Sequence, residues 1–153
     1  MFKNEVRLLG LKLLFVCTGN TCRSPLAEGM ARAMFGDLAQ ISSAGIAAWE
    51  GEHASPHVVR ILKDQKIDGS LHRARRIKEE LIADADWIIP MTQMQEDVLK
   101  RQFPRHIHKI RCLGNWGDVK RDIQDPYMGS LEVYRQTAQE IKELLNCLKE
   151  QLI

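Results

Sequence analysis

A chain of 153 residues with 44% hydrophobic and 27% charged side chains has the length and balance of one globular domain with one core. The formal net charge of +2 is too small to indicate nucleic-acid binding, and no long stripe of lysine and arginine argues otherwise. The longest apolar stretch, from Leu8 to Cys17, is interrupted by Gly10 and Lys12 and is far too short to span a bilayer. We therefore expect neither nucleic acid nor a membrane as a partner.

The cysteines and the N-terminus indicate a compartment. Cys17, Cys22, Cys112 and Cys147 do not have the spacing of a zinc motif, and the first ten residues carry no signal-peptide pattern. We therefore expect a cytoplasmic protein with reduced thiols, without a metal or other cofactor. Residues 1–10 are interpreted as an N-terminal extension, and residues 11–153 as the domain.

Predicted strands and helices alternate along the chain. The apolar patterns predict strands over residues 11–17, 40–45, 87–91 and 107–113, and helices from Ser24-Pro25, from Ser55-Pro56, and over 77–85, 93–103 and 131–152. Ser24 and Ser55 are predicted as N-caps. This alternation predicts an α/β fold, a single three-layer domain whose central four-stranded parallel sheet is flanked by helices. Ligands in such folds bind at the carboxyl ends of the strands.

The stretch from Val16 to Pro25, VCTGNTCRSP, lies at such an end. A short loop between a strand and a helix points backbone N–H groups inward and forms an anion site, and Gly19 and Asn20 tolerate the left-handed conformations it needs. Arg23 can lay a planar fork across two phosphate oxygens. Cys17, in the same positive field, is expected to be a thiolate and a nucleophile. Taken alone, the Cys17–Arg23 spacing is equally compatible with a buried structural cysteine and a surface arginine. The preceding strand, the loop and the helix cap together favour a functional site.

This stretch resembles the low-molecular-weight protein tyrosine phosphatases, which share the pattern C-[TL]-G-N-x-C-R-S-P, matched here from Cys17 to Pro25. Three further matches follow in order, at Ser43-Ala44-Gly45, at His72-x-Ala-Arg75 and at Asp125-Pro126-Tyr127. The resemblance spans roughly residues 11 to 150. The family fold, with four parallel strands, flanking helices and a phosphate-binding loop after the first strand, agrees with the predicted elements.

The resemblance implies catalytic roles for three matching positions. Cys17 would attack phosphorus and form a cysteinyl-phosphate, Arg23 would clamp the phosphoryl group, and Asp125 would be the general acid. Without the resemblance, an Asp-Pro turn would account for Asp125. The phosphate-binding loop would comprise Thr18, Gly19, Asn20, Thr21, Cys22 and Ser24.

The resemblance also implies supporting residues around this loop. Ser24 would donate a hydrogen bond to the sulfur, and Asn20 would hold the loop open. Ser43 and His72 would be scaffold residues that steady Asn20.

Three more side chains have both a functional and a packing interpretation. By resemblance, Cys22 would form a reversible disulfide with Cys17 that protects it from over-oxidation, although a small apolar filler would fit the same position. Trp49 and Tyr127 would form the aromatic rim of the pocket, although half-buried packing is equally compatible with them.

The substrate expectation depends on Thr21. Most tyrosine-directed members carry an apolar residue there, whereas Thr21 and the pair Met91-Thr92 resemble the bacterial branch that dephosphorylates arginine side chains. Tyr127, in contrast, is usual among tyrosine phosphatases. We expect a monomeric or weakly dimeric phosphatase of phosphorylated proteins, with phosphoarginine favoured over phosphotyrosine.

Two other classes of protein remain as alternatives. A thioredoxin-coupled arsenate reductase shares the fold but needs a cysteine pair near the third strand, and residues 76–100 contain no cysteine. A non-catalytic module that binds phosphoresidues or senses redox state would not need both Cys17 and Asp125.

Overall fold

The computed structural model describes residues 10–152, and in this part the chain forms a parallel sheet flanked by helices. The strands are Leu11–Cys17 (β1), Ala39–Gly45 (β2) and Trp87–Pro90 (β3), in the order β2-β1-β3. The α-helices are Arg23–Phe35 (α1), Pro56–Asp64 (α2), Glu79–Asp84 (α3), Gln93–Gln102 (α4) and Leu131–Leu152 (α5). The predicted α/β class is confirmed. The predicted N-terminal extension, except Gly10, lies outside the described residues.

β1 is the central strand, and its side chains enter two different apolar clusters. Leu13, Phe15 and Cys17 belong to a cluster with residues of α1, α2 and α5, whereas Leu14 and Val16 belong to one with residues of α3 and α4. A strand that is buried on both faces requires a continuous apolar run, which explains the sequence LKLLFVC. Full burial of a side chain as large as Phe15 contributes about 1.5–3 kcal/mol.

The fourth predicted strand, residues 107–113, is not formed as a strand. A 3-10 helix over Pro104–Lys109 occupies its first half, and Ile110 then makes an isolated parallel bridge to Ile88. The next rung would pair Cys112 with Pro90, but Pro90 has no backbone N–H to donate, and a second 3-10 helix, Leu113–Trp116, follows at once. The sheet therefore has three strands, with one bridge at the edge where the fourth was expected.

Ser24 is not the N-cap that the sequence predicts. α1 begins at Arg23, its N-cap position is Cys22, and no side chain caps it. The Ser24 hydroxyl lies 3.0 Å from Cys17 Sγ and 2.8 Å from Asn20 Nδ2. The Ser24 hydroxyl therefore contacts the loop that precedes α1 and does not cap the first turn of this helix.

Gly45 ends β2 at a close approach to the loop after β1. A Cβ atom at this position would lie 2.7 Å from Thr18 O and 3.0 Å from Asn20 Cβ, both too close for ordinary contact. The Thr18 carbonyl is held in place because Ala47 N donates to it at 2.9 Å. Only glycine allows the two backbones to approach this closely.

We predict that Gly45→Ala destabilises the protein by about 1–3 kcal/mol, the usual cost of overpacking a tight contact. Thermal or urea unfolding measures this loss. Gly10→Ala is the matched control, since a Cβ at Gly10 would meet no atom of residues 12–152 within 4 Å. Equal stability of the two variants would contradict the close approach at Gly45.

Candidate active site

Cys17 is buried at the carboxyl end of β1, at the edge of the sheet where ligands bind in parallel folds. Its sulfur accepts a hydrogen bond from Asn20 N at 3.3 Å and lies 3.0 Å from Ser24 Oγ. α1 begins directly after the loop, so the positive end of its dipole faces the same space. Donors that converge in this way stabilise a negative charge on the sulfur or on a bound anion.

Asn20 is the centre of the hydrogen-bond network behind the loop. Its side chain is fully buried, and its φ of 56° lies in the left-handed region. Nδ2 donates to Ser24 Oγ at 2.8 Å and to Ser43 Oγ at 2.9 Å. Oδ1 accepts from Arg75 N at 3.0 Å, and the Asn20 carbonyl lies 2.7 Å from His72 Nε2. These contacts fix the loop in a conformation that few residue types adopt.

The network continues away from the loop into α1. Ser43 Oγ donates to Glu28 Oε1 at 2.5 Å, and Glu28 pairs with Arg32 at 3.1 Å. Arg75 Nε donates to the Ser43 carbonyl at 2.9 Å. The sequence pointed to Ser43 and His72 as supporting residues, and it carried no signal for Glu28.

Arg23 is 5% exposed and directs its guanidinium toward the segment after Trp116. Nη1 donates to the Ile123 carbonyl at 3.0 Å, and Nη2 lies 3.7 Å from Asp125 Oδ2. Nε is buried and has no hydrogen-bond partner among the described residues. Because an unpaired buried donor is costly, its presence beside the loop fits a site that receives an anion.

Asp125 lies at the mouth of the site on an irregular segment. Its side chain is 54% exposed, and Oδ1 accepts a hydrogen bond from Tyr127 N at 3.0 Å. The segment is attached to the sheet because Ile123 N donates to Met91 O at 3.0 Å. The carboxyl group therefore faces solvent and the cleft, while the backbone before it is fixed.

A cleft of about 850 Å³ opens above Cys17 and has the size of a small-molecule site. Trp49 and Tyr127 line it and are largely exposed, so they form its rim. The predicted residues that line the cleft are Cys17, Thr18, Gly19, Thr21, Cys22, Arg23, Trp49, Asp125 and Tyr127. Those behind the loop are Asn20, Ser24, Ser43 and His72.

Tyr134 is a cleft residue that the sequence analysis did not identify. Its hydroxyl lies 3.3 Å from Cys22 Sγ and 3.4 Å from Ser55 Oγ, and its ring packs on His57 with centroids 4.9 Å apart. Burial raises the pKa of Tyr134 to about 12 and also raises the pKa of Cys22. Both groups are therefore protonated at neutral pH. The apolar pattern that predicted a helix over residues 131–152 gave no sign of this contact.

A buried cysteine and a buried arginine lie at the two ends of one loop, with a carboxyl group at the mouth, as the sequence predicts for a cysteine-dependent phosphatase. The comparison with known sequences agrees. The family model of the low molecular weight phosphotyrosine protein phosphatases matches residues 12–153, and the chain belongs to this family.

Individual relatives cover almost the whole chain. A protein-arginine-phosphatase of Bacillus subtilis (strain 168) is 37% identical over 146 residues, which are 93% of this chain and 97% of that protein. The crystal structure of a low molecular weight protein tyrosine phosphatase from T. tengcongensis is 40% identical with a TM-score of 0.88, covering 92% of this chain and 99% of that one. A mutant of the YwlE arginine phosphatase with a phosphorylated active-site serine is 34% identical with a TM-score of 0.88, covering 93% and 95%.

We predict that Asn20→Gly lowers the free energy of unfolding by about 1–3 kcal/mol, the cost of leaving buried polar partners unpaired. Glycine suits the left-handed backbone, so this variant removes the side-chain contacts without adding strain. Asn20→Ala adds the strain and should be less stable still. Urea unfolding of the three proteins measures both effects, and an Asn20→Gly variant as stable as wild type would show that the network contributes nothing.

Proposed function

We propose that the protein removes phosphate from phosphorylated residues of proteins by two-step covalent catalysis. Cys17 is the nucleophile, Arg23 binds the phosphoryl oxygens, and Asp125 is first the general acid and then the general base. One observation carries the proposal. Cys17 and Arg23 line the same cleft, and the buried Arg23 Nε has no hydrogen-bond partner among the described residues.

The chemistry requires one displacement and one hydrolysis. The Cys17 thiolate attacks phosphorus in line, the bond to the leaving oxygen or nitrogen breaks, and Asp125 protonates the leaving atom. Water then attacks the cysteinyl-phosphate, Asp125 takes its proton, and phosphate leaves with the thiolate restored. The YwlE mutant with a phosphorylated active-site serine supports a covalent intermediate in a relative of the same fold.

The remaining roles follow from position. We assign the loop backbone of Thr18, Gly19, Thr21 and Cys22 to the phosphoryl oxygens, since all four residues line the cleft. Preorganised donors of this kind supply much of the rate acceleration in acyl and phosphoryl transfer. The scaffold roles of Asn20, Ser24, Ser43 and His72 are supported by the bonds among them, and the rim roles of Trp49 and Tyr127 by their exposure.

Phosphoarginine is the substrate that we favour, and Thr21 is the reason. Thr21 lines the cleft, and within the described residues the one hydrogen-bond partner of its hydroxyl is the Cys22 thiol, at 3.8 Å. It is therefore available to a polar guanidinium or to the attacking water. The Bacillus subtilis relative is named for arginine, which supports this choice. Phosphotyrosine is the second candidate, supported by Tyr127 at the rim and by the T. tengcongensis relative.

We also propose the wider setting of the enzyme. Residues 11–153 would form the phosphatase domain after a short extension, and the two apolar clusters on β1 support a three-layer arrangement. A monomer or weak dimer acting in the cytoplasm on phosphorylated proteins is the expected state, and the unpaired cysteines are compatible with it. Within residues 10–152, no helix combines the length and apolar character needed to cross a membrane.

We predict that wild-type protein hydrolyses p-nitrophenyl phosphate and that Cys17→Ser loses at least about a thousandfold in kcat/KM, since a serine hydroxyl is a far weaker nucleophile. Cys147→Ser is the matched control, because Cys147 lies on α5 outside the cleft. Activity that survives in Cys17→Ser would contradict the covalent mechanism. An inactive wild type that still binds phosphopeptides would indicate a binding module instead.

We predict that Thr21→Ile loses more kcat/KM on a phosphoarginine peptide than on a phosphotyrosine peptide. A site built around a hydrogen bond penalises its loss more than an apolar pocket penalises an added hydroxyl. Threonine and isoleucine share a branched shape, so the fold should tolerate the exchange. The ratio of the two kcat/KM values, compared between wild type and variant, is the measurement, and an unchanged ratio would favour phosphotyrosine.

A further inference from the structure

Gln95 is a buried polar residue that none of the roles above uses. It is the third residue of α4, and its side chain is 6% exposed. The amide oxygen accepts hydrogen bonds from Met91 N at 3.0 Å and from Thr92 N at 3.1 Å. The amide nitrogen donates to Thr18 Oγ1 at 3.1 Å. One side chain thus joins the turn after β3 to the loop after β1.

Capping of α4 explains only half of these contacts. The bond from Thr92 N to the Gln95 oxygen completes a capping box, and a glutamate satisfies such a box as well as a glutamine does. The donor to Thr18 needs the amide of glutamine. Because the Thr18 oxygen accepts this bond, the hydroxyl proton of Thr18 stays available to the cleft that Thr18 lines.

The turn held by Gln95 also carries the segment that leads to Asp125. The Met91 carbonyl accepts from Ile123 N at 3.0 Å, and Met91 N is shared between Gln95 Oε1, at 3.0 Å, and Val16 O, at 3.1 Å. The Ile123 carbonyl in turn accepts from Arg23 Nη1 at 3.0 Å. A continuous set of hydrogen bonds therefore leads from the amide of Gln95 to both the arginine and the acid segment.

We propose that Gln95 is a positioning residue of the phosphatase reaction. It directs the Thr18 hydroxyl toward the cleft and keeps the loop after β1 in register with the segment that carries Asp125. The proposal rests on the proposed role of the Cys17–Arg23 loop as the phosphate-binding loop. The competing interpretation is that Gln95 only caps α4.

Gln95→Glu separates the two interpretations, because it can keep both contacts of the side-chain oxygen while it removes the donor to Thr18. If Gln95 positions the loop, kcat/KM for p-nitrophenyl phosphate falls by about tenfold while Tm stays close to that of wild type. Gln102→Glu, at an exposed site on the same helix, is the control and should leave kcat/KM unchanged. Wild-type kcat/KM in Gln95→Glu would overturn the proposal and leave capping as the sole role.

Gln95→Glu adds a negative charge near the loop, and two uncharged substitutions test the shared bond without it. Thr18→Val and Gln95→Met are measured separately and together for kcat and KM. If the two side chains act through their shared bond, the double variant loses clearly less kcat than the product of the two single losses. A loss equal to that product would overturn the coupling. The Cys17→Ser comparison reports on the proposed function independently, since an active wild type with uncoupled variants would reject only the role of Gln95.

Discussion

Asn20 joins the loop after β1 to three other parts of the chain, which are the start of α1, β2 and the segment from His72 to Arg75, and the shape of the candidate site depends on these bonds. Its amide contacts Ser24 in α1, Ser43 in β2 and the backbone of Arg75, while its carbonyl contacts His72. A φ of 56° is unfavourable for most residues, so these bonds must offset its cost. The bonds hold the loop in one shape before a ligand binds. In the proposed reaction, the loop donors would therefore not need to rearrange.

The rigid and the exposed parts of the site have different origins. The sulfur of Cys17 and the guanidinium of Arg23 are buried because β1 and α1 are packed into the apolar core. Asp125, in contrast, lies on irregular chain and is held near the cleft through the backbone of Ile123. The proposed nucleophile is therefore held in one position, whereas the proposed acid lies on irregular chain where it can adjust to different leaving groups.

Local patterns in the sequence predicted most of the fold. The apolar run of β1, the Ser-Pro pair before α2 and the periodicity of α5 gave elements close to those observed. The fourth strand was wrong because residues 107–113 are strand-like in composition, whereas residues 107–109 and Leu113 themselves belong to 3-10 helices, so tertiary context overrode the local preference. The prediction of Ser24 as an N-cap was wrong because its hydroxyl contacts the Cys17 sulfur instead.

The site could be predicted where several residues share one short stretch or a family motif. The Cys17–Arg23 loop is such a stretch, and the structure brings it together with Asp125, about a hundred residues away. Tyr134 and Gln95 could not be found in this way. Each fits the sequence pattern of its own helix without any further role. Only the packing of these helices against the loop shows that Tyr134 contacts Cys22 and that Gln95 contacts Thr18.

Different segments of the chain form the floor and the rim of the cleft. This separation has a consequence for how related enzymes can differ in substrate. The floor consists of loop backbone and buried side chains, among them Cys17 and Arg23, whereas the rim is Trp49 on one connection and Tyr127 on another. Exposed side chains at a rim can be exchanged with little effect on stability. Exchanges at the rim, together with the loop side chain at Thr21, can therefore change which phosphorylated side chain fits the cleft, while relatives named for arginine and for tyrosine share one fold.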